Sequence, residues 1–162
     1  NSNNSNNSNP TSTTSAATPK TTPEKRKTFN LASSAGSKYG GITVNKDAEN
    51  QKITLTGKTS GVAGYVIAND PHLAELNNQK LILKISGTEN TGNKLFKLEV
   101  NDKAVKPTEP NIVFQNDPEY YITAKDGEVS FNLPKTVTKI NFVFYNPSLN
   151  NLTISATATD KN

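Results

Sequence analysis

Side-chain catalysis needs a nucleophile beside a base, carboxylates in contrasting surroundings, or a cluster of metal-binding groups. The 162-residue chain has one histidine, His72, and no cysteine. A Ser/His/Asp relay would have to be built on that histidine, which lies in ANDPHLAEL with Asp70 and Glu75 close in sequence. A histidine beside proline in a loop serves equally as a surface or capping residue. The fourteen acidic residues are scattered, and none sits in an apolar run that would raise its pKa for general-acid work. The expectation is no catalytic residue and no enzymatic activity in this segment. Lack of cysteine excludes disulfides, thiol chemistry and zinc knuckles. Calcium takes about six to eight oxygens with several carboxylates. Asp47, Glu49 and Asp160 come nearest to supplying them, so neither a metal nor a cofactor is expected.

Tyrosine is the more informative residue. With no tryptophan, Tyr39, Tyr65, Tyr120, Tyr121 and Tyr145 are the amphipathic rings available, each offering a flat face and a hydroxyl. In KINFVFY the alternation that buries Ile140, Phe142 and Phe144 turns Asn141, Val143 and Tyr145 outward. In EYYITA, an inward Ile122 takes Tyr120 with it and turns Tyr121 outward. Tyr121, Asn141 and Tyr145 are therefore candidates for one sheet surface, with Lys84, Lys97 or Glu99 from neighbouring strands. Rings on such a face can stack on the C–H faces of pyranoses while Asn, Lys and Glu bond the hydroxyls. They can equally lie along the sheet as good strand formers, a choice that is open for Tyr145 and leans to the packed ring for Tyr65. GSKYGGITV surrounds Tyr39 with glycines that permit a tight turn, leaving the ring either on a ligand-binding edge loop or folded over the core edge.

The elements that must hold these residues are strands. Residues 138–158 read as a central hairpin, two alternating runs joined by an Asn/Pro/Ser turn. Short runs recur about every ten residues, predicting strands over 27–32, 41–45, 51–57, 62–68, 79–87, 94–101, 111–115, 120–124, 127–133, 138–145 and 151–158. One helical turn after Asp70 is predicted over 71–76. Ile53 and Leu55, Leu81, Leu83 and Ile85, Phe96, Leu98 and Val100, and Val129, Phe131 and Leu133 each alternate with polar partners, which is sandwich patterning. The expected class is all-β, a two-sheet antiparallel β-sandwich of jelly-roll type. An immunoglobulin-like sandwich remains open, although its cysteine and tryptophan markers are missing.

Residues 1–26 are Asn, Ser, Thr and Pro with little to bury, the composition of a disordered linker, and 27–162 form the expected domain. Asn3, Asn6 and Asn151 begin N-x-S/T triplets that matter only in a glycosylating host. Lys20, Lys25, Arg26 and Lys27 against Glu24 carry +3 of the net charge of +4, leaving +1 for the rest. A nearly neutral domain, in a chain with a single arginine, is poorly suited to phosphate, so nucleic acid is not an expected partner. No run approaches a membrane span and no signal peptide opens the chain. The expectation is a piece of a longer polypeptide with its targeting signal upstream.

YGGITV after a short first strand, GVAGYVIA following ITLTGKTS, LNNQKLILKISG, FKLEVND and the closing VSFNLPKTVTKINFVFYNPSLNNLTISA together resemble the jelly-roll carbohydrate-binding modules of secreted polysaccharide-degrading enzymes. The resemblance covers residues 28–158. It implies a non-catalytic, extracellular, monomeric module that binds a polysaccharide on a sheet face or at edge loops and is tethered to a catalytic domain. The alternative is a structural or adhesive cell-surface domain that docks to protein or acts as a spacer.

Overall fold

A computed structural model describes residues 25–33 and 35–161. The expected linker, apart from residues 25 and 26, and the triplets at Asn3 and Asn6 lie outside the described residues. Among the described residues eleven strands follow one another: β1 (Lys27–Phe29), β2 (Gly36–Tyr39), β3 (Thr43–Asp47), β4 (Lys52–Lys58), β5 (Val62–Ala68), β6 (Gln79–Ser86), β7 (Lys97–Val100), β8 (Lys103–Ala104), β9 (Gly127–Asn132), β10 (Lys139–Tyr145) and β11 (Ser148–Asp160). They form two antiparallel sheets facing each other, the jelly-roll sandwich that the alternating runs predict. The first sheet runs β3-β4-β11-β6-β9, with β1 also paired to β11, and the second runs β2-β5-β10-β7-β8. Among the described residues no helix is long and apolar enough to cross a membrane.

The core lies between the sheets. Ile140, Phe142 and Phe144 of β10 face inward with Tyr65 and Ile67 of β5, opposite Ile53, Leu55, Leu83, Phe131, Leu152 and Ile154 of the first sheet, and all are buried. Phe96 packs edge-on against Phe142 and Phe144, with ring centroids 5.4 and 5.5 Å apart. Burying a phenylalanine contributes about 1.5–3 kcal/mol. These three rings therefore hold β10 and the segment leading into β7 together.

β10 and β11 are not the hairpin that their spacing suggests. β10 pairs with β5 and β7, whereas β11 pairs with β4, β6 and β1, so each is a central strand of a different sheet. The Asn146-Pro147 turn is an arch from one sheet to the other. It is pinned to the neighbouring β4–β5 arch: Asn146 N–H donates to the Gly61 carbonyl at 2.8 Å and Gly61 N–H donates to Asn146 Oδ1 at 2.6 Å. Proline withholds a donor and suits a position where no ladder continues.

Two other expectations are corrected. Residues 111–115 and 120–124 are not strands but a loop held by the isolated bridges Val113↔Ile122 and Lys94↔Thr123. Gln115, Asn116 and Tyr120 there have φ of 46°, 56° and 66°, which strand geometry excludes. β2, by contrast, occupies the Gly-flanked segment expected to be a turn. The predicted helical turn is present as a 3-10 turn, Pro71–Leu76, with Asp70 accepting from the His72 backbone N–H at 2.9 Å. The domain's packed boundary includes Arg26, whose Nη1 lies 3.0 Å from Glu128 on β9.

Candidate functional site

The outward face of the second sheet carries a cluster of polar and aromatic side chains. On β10, Asn141, Val143 and Tyr145 point away from the core, because Ile140, Phe142 and Phe144 point into it. Register then fixes their neighbours. Asn141 lies opposite Glu99 and Val143 opposite Lys97 on β7, while Tyr145 lies opposite Val62 on β5. β2 adds Tyr39 opposite Gly64, and the 111–124 loop adds Glu119 and Tyr121. Together with Lys94 these residues line a cleft of about 630 Å³.

Tyr39 reaches into the cleft because Gly64 has no side chain. A Cβ at Gly64 would come within 2.5 Å of the Tyr39 hydroxyl and 2.2 Å of the Phe142 carbonyl oxygen. The phenol thus spans β5 and donates to Asn141 Oδ1 on β10 at 2.9 Å. Burial is the chief cause that raises the Tyr39 pKa.

Lys97 is the cleft's fixed charge. Its ammonium lies 2.8 Å from Glu119 and 3.3 Å from Glu99, with only 13% of the side chain exposed. Burial works to lower its pKa, but the bonds to Glu119 and Glu99 outweigh it and the net direction is up. Lys94 pairs with Asp117 at 3.2 Å, tying the same loop to the sheet. Tyr121 lies close to both ammonium groups, its ring centroid 4.4 Å from Lys94 Nζ and 5.5 Å from Lys97 Nζ. Its hydroxyl pKa is raised by burial.

The cleft brings together Tyr39, Tyr121, Asn141, Tyr145 and Glu99 from the sequence-predicted set, and Lys97 beside them. Tyr121 turns outward as expected but is 6% exposed, so it is a wall of the cleft rather than an open ring. Tyr145, at 53%, is the open ring, and its partner Val62 is equally exposed at 55%. Two predicted residues fall elsewhere. Tyr65 is fully buried, and its hydroxyl donates to the Leu31 carbonyl at 2.7 Å. Burial, with the charge of Asp70 adding to it, pushes its pKa up to about 12. Lys84 sits on β6 between Ser155 and Glu128, on the outward face of the other sheet. Lys94, Glu119, Val62 and Val143 were not anticipated as site residues. Outward parity in β5 and β10 places the two valines, but nothing in the sequence announces the loop that delivers Glu119.

His72 is no part of a relay. Asp70 stands between the other two groups, accepting from the Ser33 hydroxyl and from both the backbone and ring nitrogen of His72. Asp47 is satisfied by Asn50, and Asp160 accepts from Gln79. Among the described residues no three His, Asp or Glu side chains gather to hold a metal ion.

The cleft offers acceptors in Glu99 and Glu119, donors in Lys97 and Asn141, and an exposed ring at one end, the chemistry of a ligand rich in hydroxyls. No family model, curated protein or solved structure matches the chain.

Proposed function

We propose that the chain is a non-catalytic carbohydrate-binding module whose ligand lies along β10 in the Tyr39–Tyr121–Tyr145 cleft. The observation that carries this reading is the pairing of an exposed ring, Tyr145 beside Val62, with a floor of Asn141, Lys97 and Glu99 on the same sheet face. A stacked sugar ring suits the first, and its hydroxyls suit the second. From Asn141 to Tyr145 the strand advances ~13 Å, longer than one pyranose, which favours a polymer over a monosaccharide. Lys94 and Lys97 face Asp117, Glu99 and Glu119, so the cleft has no positive excess and suits neutral glycans. In a longer secreted or surface-attached polypeptide, such a module would raise the effective concentration of an attached glycoside hydrolase on its polymer.

The test is retention of the isolated chain on xylan, glucomannan, mixed-linkage β-glucan and pectin, measured by pull-down and affinity electrophoresis. Saturable binding to a neutral polymer, weakened about tenfold by Tyr145→Ala with no loss of fold, is the expected result. Uniform failure would favour a spacer or protein-docking domain.

A further inference from the structure

The Tyr39 hydroxyl occupies Oδ1 of Asn141, and the planar amide therefore carries Nδ2 at its opposite corner. Nδ2 has no acceptor among the described residues, and Asn141 is a half-buried lining residue of the cleft. Directly across the strand pair stands Glu99, a carboxylate that accepts and, when ionised, cannot donate. A free asparagine could turn either end to a sugar hydroxyl. This one accepts from the Tyr39 phenol that lies over Gly64, and the Glu99 carboxylate across the strand pair, which repels Oδ1 and attracts the N–H end, favours the same turn.

We infer that Tyr39 is a positioning residue that fixes the Asn141 amide as a hydrogen-bond donor toward the cleft. Two adjacent positions of the floor then make opposite demands. Asn141 takes an acceptor oxygen, which a glycosidic, ring or O-substituted oxygen supplies as well as a hydroxyl does. Glu99 takes a donor, which only a free hydroxyl or an N–H supplies. The ligand class this selects is a neutral glycan whose chain linkage or substituent lies over Asn141 and whose unsubstituted hydroxyl lies over Glu99. This inference rests on the carbohydrate reading of the cleft for its ligand, but not for the amide orientation.

The two parts are separated by one set of variants, Tyr39→Phe, Asn141→Ala, Asn141→Asp and the Tyr39→Phe/Asn141→Ala pair. In the free protein, nitrogen-15 NMR of the Asn141 side-chain amide should give a distinct proton pair that shifts in Tyr39→Phe while the Phe142 and Phe144 backbone amides hold their places. An unchanged Asn141 signal would overturn the lock whatever the ligand. Binding to the polymers named above supplies the second readout. Tyr39→Phe should weaken binding about fivefold in the native background and not at all once Asn141 is alanine. Asn141→Asp keeps an acceptor for Tyr39 but loses the donor, and should bind as poorly as Asn141→Ala. Additive losses, or full binding by Asn141→Asp, would overturn the positioning role. Failure of the unmodified protein to bind any of the polymers would remove the glycan assignment and leave the NMR result to decide whether Tyr39 holds the Asn141 amide.

Discussion

Two tyrosines on neighbouring strands meet opposite fates, and glycine decides both. Tyr39 lies outward over Gly64, while Tyr65 lies inward with its hydroxyl in space that a Cβ at Gly36 would enter to 1.9 Å. In VAGYVIA both parities are apolar, so no alternation marks Tyr65 as a core residue, whereas Asn141 and Tyr145 were legible because Phe142 and Phe144 flank them. Tyr65→Phe keeps the ring but leaves the buried Leu31 carbonyl without its donor. A loss of about 1 kcal/mol in chemical denaturation is expected, with the cleft unaffected. Asp70 contributes a pH dependence. Its carboxyl is held below the usual range, chiefly by the Ser33 hydroxyl and then by the His72 N–H. A depressed folded pKa means that the unfolded chain binds the proton more readily, so the contribution is complete above the unfolded value of about 3.9 and is lost as pH falls through the lower folded value. Asp70→Asn should therefore cost about 1 kcal/mol at neutral pH, with the gap to the native protein narrowing below about pH 4 in urea titrations.

At the scale of elements, β5 is the strand that sets both the cleft and the core. Gly64 is its thinnest point, crossed on the outside by Tyr39 and approached from the side by the Phe142 carbonyl. Gly64→Ala must push on both. A destabilisation of about 1–3 kcal/mol is expected in thermal or urea melts, together with loss of the Tyr39–Asn141 bond and of polymer binding. Preserved binding would show that the phenol does not need this seat. The elements that escaped sequence reasoning share a cause. GSKY carries the residues of a turn, yet β2 forms because β5 offers it an edge, through pairs from Gly36↔Ile67 to Tyr39↔Gly64. EYYITA alternates like a strand, yet Tyr120 adopts φ 66° and the segment becomes the loop that carries Tyr121 to the cleft. Alternation reports which side of a residue is apolar. It carries no information on backbone sign or on which strand lies alongside.

That same blindness to partners explains why residues 138–158 were correctly central and incorrectly a hairpin. Their two strands are the middle of two sheets, so their apolar faces are buried against each other across the core rather than side by side in one ribbon. The consequence for the whole molecule is a fold closed by its last strand. β11 is the partner of β1, β4 and β6, and without it the first sheet separates into β3–β4, β6–β9 and an unpaired β1. The inward side chains Leu149, Leu152, Ile154, Ala156 and Ala158 would leave with it and open one wall of the core. A chain ending at Asn146 should therefore lack a cooperative unfolding transition, even though it retains the whole second sheet and every lining residue of the cleft. Because the closing pairs join residues far apart in sequence, the full chain should refold in milliseconds to seconds, as other non-local β topologies do. Stopped-flow fluorescence of its tyrosines checks the rate, and near-ultraviolet circular dichroism of the shortened chain checks the closure. A native-like spectrum from the shortened chain would mean that the second sheet stands alone, and that the cleft could be studied apart from the sandwich.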